Sequence, residues 1–102
     1  MFKIWARTIC GDKITKSLIY KGEDKFERNK FHKYLTEICE KMDIPTPVIL
    51  KSHTRNFDAF NITRFLSSDF VESVDFDNLT IEYCRDDHSE KKHIYKAYLP
   101  TD

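Results

Sequence analysis

The chain has 102 residues, a net charge of zero from 17 basic and 17 acidic side chains, and 14% aromatic residues, eight of them Phe. That is the length of one domain with rings enough for one core, which argues for a folded domain and against a disordered tail. The balanced charge lacks the basic excess typical of nucleic-acid-binding domains, although 13 basic face 8 acidic residues over 1–66, and 4 face 9 over 67–102.

Residues 2–10, FKIWARTIC, and 13–20, KITKSLIY, are rich in Ile, Thr and aromatics, and Gly11-Asp12 separates them. A two-residue loop with glycine signals a β-hairpin, because glycine supplies the positive φ that such turns require. With that loop Ile9 faces Ile14, Trp5 faces Leu18, and Arg7 stands opposite Lys16, an unfavourable pair. Residues 24–42 read as the main helix. Asp24 and Glu27 suit an acidic capping box. Phe31, Leu35, Ile38 and Met42 follow one helical face, widened by Tyr34 and Cys39. The stretch from Asp43 to Pro47 stops the helix.

Pro47-Val48-Ile49-Leu50 is an apolar strand or connector. Residues 53–60 predict about two helical turns capped by Ser52, with Phe57 and Phe60 inward. Residues 61–66 read as a short strand, after which Ser67 or Ser68 caps a turn holding Phe70 and Val71. Residues 79–85 and 93–99 alternate cleanly. Setting Leu79 opposite Leu99 pairs Ile81 with Ala97, Tyr83 with Tyr95 and Glu82 with Lys96. The expected fold is one α+β domain over 1–102, an antiparallel sheet built from two hairpins with one long amphipathic helix packed on it.

The segment DFVESVDFD at 69–77 holds four carboxylates, Asp69, Glu72, Asp75 and Asp77. It has neither the glycine nor the ligand spacing of a calcium loop. Over Val74–Asp77 the alternation puts Asp75 and Asp77 on one face and Val74 and Phe76 on the other, the pattern of a half-buried edge. These four carboxylates are the candidate partner-binding patch. An enzyme built on them with His53 is a third reading, after nucleic-acid binding. No HExxH or CxxC motif occurs, and Gly11 and Gly22 are too far apart for a phosphate-cradling loop, so no metal, cofactor or catalytic residue is expected. Cys10, Cys39 and Cys84 read as small buried hydrophobes. With no signal-like or membrane-length apolar run, the expectation is a reduced cytoplasmic protein off the membrane. The alternative site is the basic and aromatic hairpin. There Trp5, Arg7 and Lys16 would form a stacking platform for single-stranded nucleic acid, flanked by phosphate contacts.

Arg64-Phe65, Asp69-Phe70-Val71-Glu72, Asp75-Phe76-Asp77 and Leu79-Thr80-Ile81-Glu82 follow one another within residues 61–82. With Lys3-Ile4-Trp5, Cys39-Glu40 and Asp43-Ile44-Pro45, this pattern resembles a family of small uncharacterised proteins of Firmicutes bacteria. The resemblance covers most of the first 85 residues and implies no activity or site residue. The reading that results is a non-enzymatic interaction module whose partner is another protein or a second copy of the chain.

Overall fold

Alternating burial along FKIWARTIC is what makes it a strand: Phe2, Ile4, Ala6 and Thr8 are buried, while Lys3, Trp5, Arg7 and Ile9 lie half-buried on the other side. In the computed structural model, which describes residues 1–84, this strand β1 (Phe2–Cys10) turns at Gly11, φ +63°, into β2 (Lys13–Gly22). The sheet is completed by β3 (Ile62–Leu66) and β4 (Asn78–Cys84), in the order β2-β1-β4-β3, with every neighbouring pair antiparallel. Helix α1 (Phe31–Met42) puts its apolar face, and α2 (Lys51–Phe60) its Phe57, into the same core as the sheet's inner face. The fold class is α+β, and no helix among the described residues is long and apolar enough to cross a membrane.

The first hairpin is as expected, but its register is not. Ile9 pairs with Ile14, and then a bulge between Thr8 and Ile9 shifts the remainder by one residue. Trp5 therefore faces Ile19 rather than Leu18, and Arg7 faces Ser17 rather than Lys16. The extra residue, Thr15, hydrogen-bonds the Thr8 hydroxyl at 2.7 Å. The bulge thus separates the two cations that a regular ladder would have set side by side. At the far end, Phe2 lies across from Gly22, and a Cβ at that glycine would collide with the Phe2 ring. The glycine is required for space, not for its backbone angles.

The helix expected over 24–42 is shorter than its pattern implied. Helix α1 buries the predicted face, Phe31, Leu35, Ile38 and Met42, together with Tyr34 and Cys39. It begins late, after one 3₁₀ turn at Arg28–Lys30, and the acidic capping box at Asp24 and Glu27 is absent. Residues 23–27 run extended or bent instead. Their purpose is Phe26, whose ring lies 5.3 Å from Phe2, 5.3 Å from Tyr83 and 5.7 Å from Phe57. Contacts with three distant segments outweigh about two turns of solvent-exposed helix. At its other end, α1 stops at Asp43, φ 60°, with Ile44 N–H bonded to the Cys39 carbonyl and Asp43 N–H to that of Glu40. This Schellman motif closes the helix before the prolines do.

Helix α2 starts two residues earlier than the sequence implied, with Leu50 rather than Ser52 at the N-cap. Phe57 is buried as expected, but Phe60 is exposed. The turn after β3 spans Ser67–Asp69 and holds neither Phe70 nor Val71: Phe70 is buried, and Val71 stands 89% exposed. Residues 93–99, the expected partners of the last strand, lie outside the described residues. Within them, β4 has neighbours on both edges. Leu79 faces Thr8 and Phe65, Ile81 faces Ala6 and Thr63, and Glu82 faces Trp5 and Ile62. Among the described residues the second hairpin is β3 with β4, paired across the connection that carries the acidic segment.

One contact across the core makes a pH prediction. Tyr20 on β2 is buried, and its hydroxyl donates to Glu37 of α1 at 2.5 Å. Burial first, then the Glu37 carboxylate, pushes its pKa from 10.0 up to about 12. A raised acid pKa stabilises the neutral form in the fold. That contribution is complete below the unfolded value and is lost as pH rises through the folded one. An ultraviolet tyrosinate titration should show one tyrosine ionising at about 12, well above the ordinary value of 10.0, and that late step should vanish in Tyr20→Phe. If Tyr20→Phe instead loses its amplitude at the ordinary value and keeps the late step, the Glu37 contact does not hold the hydroxyl neutral.

Candidate functional site

The four carboxylates of the candidate patch do not act together. Asp69 points into the fold. Its Oδ2 accepts the Leu66 N–H at 2.9 Å and faces His53 Nε2 at 3.2 Å. Asp77 reaches back to the first hairpin, where its Oδ2 accepts the Gly11 N–H at 2.7 Å. Its backbone is engaged as well, since Asp77 N–H donates to the Ile9 carbonyl and Ser67 N–H to the Asp77 carbonyl. Glu72 and Asp75 are exposed, and Phe76, between Asp75 and Asp77, is buried. The alternation read from Val74–Asp77 is therefore real, although the segment is bent chain rather than strand. Two carboxylates are internal ties and two face outward.

His53 is the residue whose role sequence could not assign. It is 5% exposed, and its ring lies 4.2 Å from that of Phe65. Nδ1 accepts the Leu50 N–H at 2.9 Å, capping α2 from its third residue. An accepting Nδ1 fixes the proton on Nε2, which then donates to Asp69. Asp69 repeats the device for the next turn by accepting the N–H of Leu66, three residues back. A carboxylate beside a buried imidazole looks like part of a catalytic triad. A base, however, needs one ring nitrogen turned to a nucleophile, and both nitrogens here are engaged within the fold. The pair is a structural clasp. Among the described residues, no group of three or more His, Cys, Asp or Glu is placed to hold a metal ion.

The clasp ties together segments that carry exposed apolar side chains. Val48 N–H donates to the Asp69 carbonyl at 2.9 Å, Leu50 is the residue capped by His53, Leu66 is bonded to the Asp69 carboxylate, and Val71 follows two residues on. All four side chains are exposed, Val71 at 89% and the others at about half. Glu72 and Asp75 flank them in sequence. Sequence reasoning found the acids and missed the apolar residues, because Val48 and Leu50 lie on one segment and Leu66 on another far along the chain, tied only through Asp69 and His53.

The nucleic-acid candidates are divided by the sheet. Trp5 and Arg7 lie on the outer face, with the Arg7 guanidinium 3.7 Å above the Trp5 ring and 3.2 Å from Glu82. Trp5 Nε1 donates to the Ser17 hydroxyl at 2.9 Å. Lys16 pairs with Thr8 on the inner face, and its Nζ donates to the Met42 carbonyl at the end of α1. The structure does not bring Lys16 to the other two. Of the cysteines, Cys39 alone is fully buried, and burial pushes its thiol up to about 11. Cys10 is exposed and Cys84 half-buried, against the expectation that all three are core. No protein-family model matches the chain, and no curated protein or solved structure shows similarity to it.

Proposed function

We propose that the chain is a non-enzymatic protein-interaction module that docks its partner on the surface gathered by the His53–Asp69 clasp. The observation that carries this reading is the exposure of Val48, Leu50, Leu66 and Val71 on or beside segments tied through His53 and Asp69. Exposed apolar residues scattered singly mean little. Several collected on a braced turn, beside charges left outward, have the make-up of an interface centre with a polar rim. Glu72 and Asp75 supply that rim, so the partner offers an apolar centre with basic residues around it. The site adjoins β3, an edge strand of the sheet among the described residues, and a second copy of the chain is one such partner.

The nucleic-acid reading has less behind it. Arg7 covers one face of the Trp5 ring and is itself neutralised by Glu82. A stacking platform needs an uncovered ring and unpaired cations.

The test is a double variant, Leu66→Lys with Val71→Asp, both at exposed positions. It should melt like the wild type, because surface changes of this kind stay within about 0.5 kcal/mol. Immobilised wild type and variant are compared for proteins retained from lysate, and both are sedimented alone. The expected result is at least about tenfold weaker retention, or loss of a dimer, in the variant only, equivalent to about 1.4 kcal/mol of binding. A monomeric wild type whose retained proteins are the same, in kind and amount, as those of the double variant would refute the reading.

A further inference from the structure

A cleft of ligand size lies away from that turn. It is an open groove of about 530 Å³ between the 25–28 segment, the end of α2 and β4. That volume lies within the usual range for small-molecule sites, about 300–1,000 Å³. Its floor is aromatic. Phe26, Phe57 and Tyr83 line it and pack on one another, with centroids 5.3 Å apart for Phe26–Tyr83, 5.7 Å for Phe26–Phe57 and 6.4 Å for Phe57–Tyr83. Its rim is an ion pair. Arg28 Nε lies 3.1 Å from Asp58 Oδ1, and Lys25 adds a second cation.

The rim has capacity to spare. Arg28 engages Asp58 through Nε, so the two terminal Nη groups keep the fork geometry that a carboxylate fits. Asp58 uses Oδ1, so Oδ2 remains an acceptor. The end of α2 is the negative pole of that helix, which favours a cation beside Asp58 and Asn61. Positive and negative recognition groups thus stand within one ion-pair distance of each other over an apolar floor.

We infer that this cleft binds a free aromatic amino acid. Its carboxylate would take the Arg28 fork and Lys25, its ammonium Asp58 Oδ2 and the end of α2, and its ring the Phe26–Phe57–Tyr83 floor. A ligand of one charge would satisfy only half the rim, and a zwitterion without a ring would leave the floor wet. The ion pair alone, exposed to water, would be a weak surface bridge. Its position at the mouth of an aromatic-floored cleft is what gives it a binding role.

The experiment is an amide-resolved NMR titration of the full chain with L-phenylalanine. Three probes that each lack one feature run beside it: 3-phenylpropionate without the amine, 2-phenylethylamine without the carboxylate, and glycine without the ring. Phenylalanine should saturably shift the amides of Lys25, Arg28, Asp58, Asn61 and Tyr83 at about millimolar concentration. Each probe should bind at least about fivefold more weakly. Arg28→Lys keeps the charge but loses the fork, and it should weaken phenylalanine by about fivefold while leaving the rest of the spectrum in place. No saturable shift with phenylalanine, shifts mapping elsewhere, or equal binding of 3-phenylpropionate or 2-phenylethylamine would each overturn the inference.

Discussion

Asp69→Ala should destabilise the domain by about 1–3 kcal/mol, more than Glu72→Ala or Asp75→Ala. The substitution strands one buried donor. The Nε2–H of buried His53 loses the group it faces at 3.2 Å, while the exposed Leu66 N–H exchanges its acceptor at 2.9 Å for water. An unsatisfied buried donor costs about 1–3 kcal/mol, more than the bond itself contributed. Asp69→Asn keeps an acceptor oxygen in place and should cost only about 1 kcal/mol. Glu72→Ala and Asp75→Ala, at exposed positions, should stay within about 0.5 kcal/mol. Urea unfolding checks this, through a lowered midpoint at unchanged slope. His53→Ala completes a double-mutant cycle. If the two residues act as a unit, their coupling energy is about 0.5–3 kcal/mol. Equal midpoints for Asp69→Ala and the wild type would mean that the clasp holds nothing.

Phe65→Ala should cost about 3–5 kcal/mol, the usual range for removing a buried ring. Phe65 is fully buried on the inner face of β3, paired with Leu79 of β4 and covered by the His53 ring. Small domains have only about 5–15 kcal/mol of stability in total. The melting temperature should therefore fall by roughly 15–25 °C, and some molecules should be unfolded at growth temperature. Phe65→Leu keeps most of the volume and should cost about 1–2 kcal/mol. If Phe65→Ala proves as mild as Phe65→Leu, the core around β3 is looser than the packing of His53 on Phe65 implies.

What was legible in the sequence is what neighbours along the chain decide. Gly11 announces the hairpin, and the spacing of Phe31, Leu35, Ile38 and Met42 announces a buried helical face. The alternation at Val74–Asp77 announces acids outward and rings inward. What was not legible depends on partners far off in sequence. The bulge at Thr15 is settled by cross-strand packing, so the register slipped. The start of α1 is delayed because Phe26 is claimed by Phe2, Phe57 and Tyr83. The role of Asp69 depends on His53, sixteen residues earlier. As a set the acids read like a surface feature, yet two of them are ties, and no local pattern separates Asp77 from Asp75.

The strand order also governs how the molecule comes together. Strand β4 lies between β1 and β3, so Ile4 finds its neighbour Tyr83 only when nearly all of the described chain is present. Until then the first hairpin keeps its inner edge open and β3 has no ladder at all. Sheet closure is thus a single late event spanning a long loop, the slow kind of step in folding.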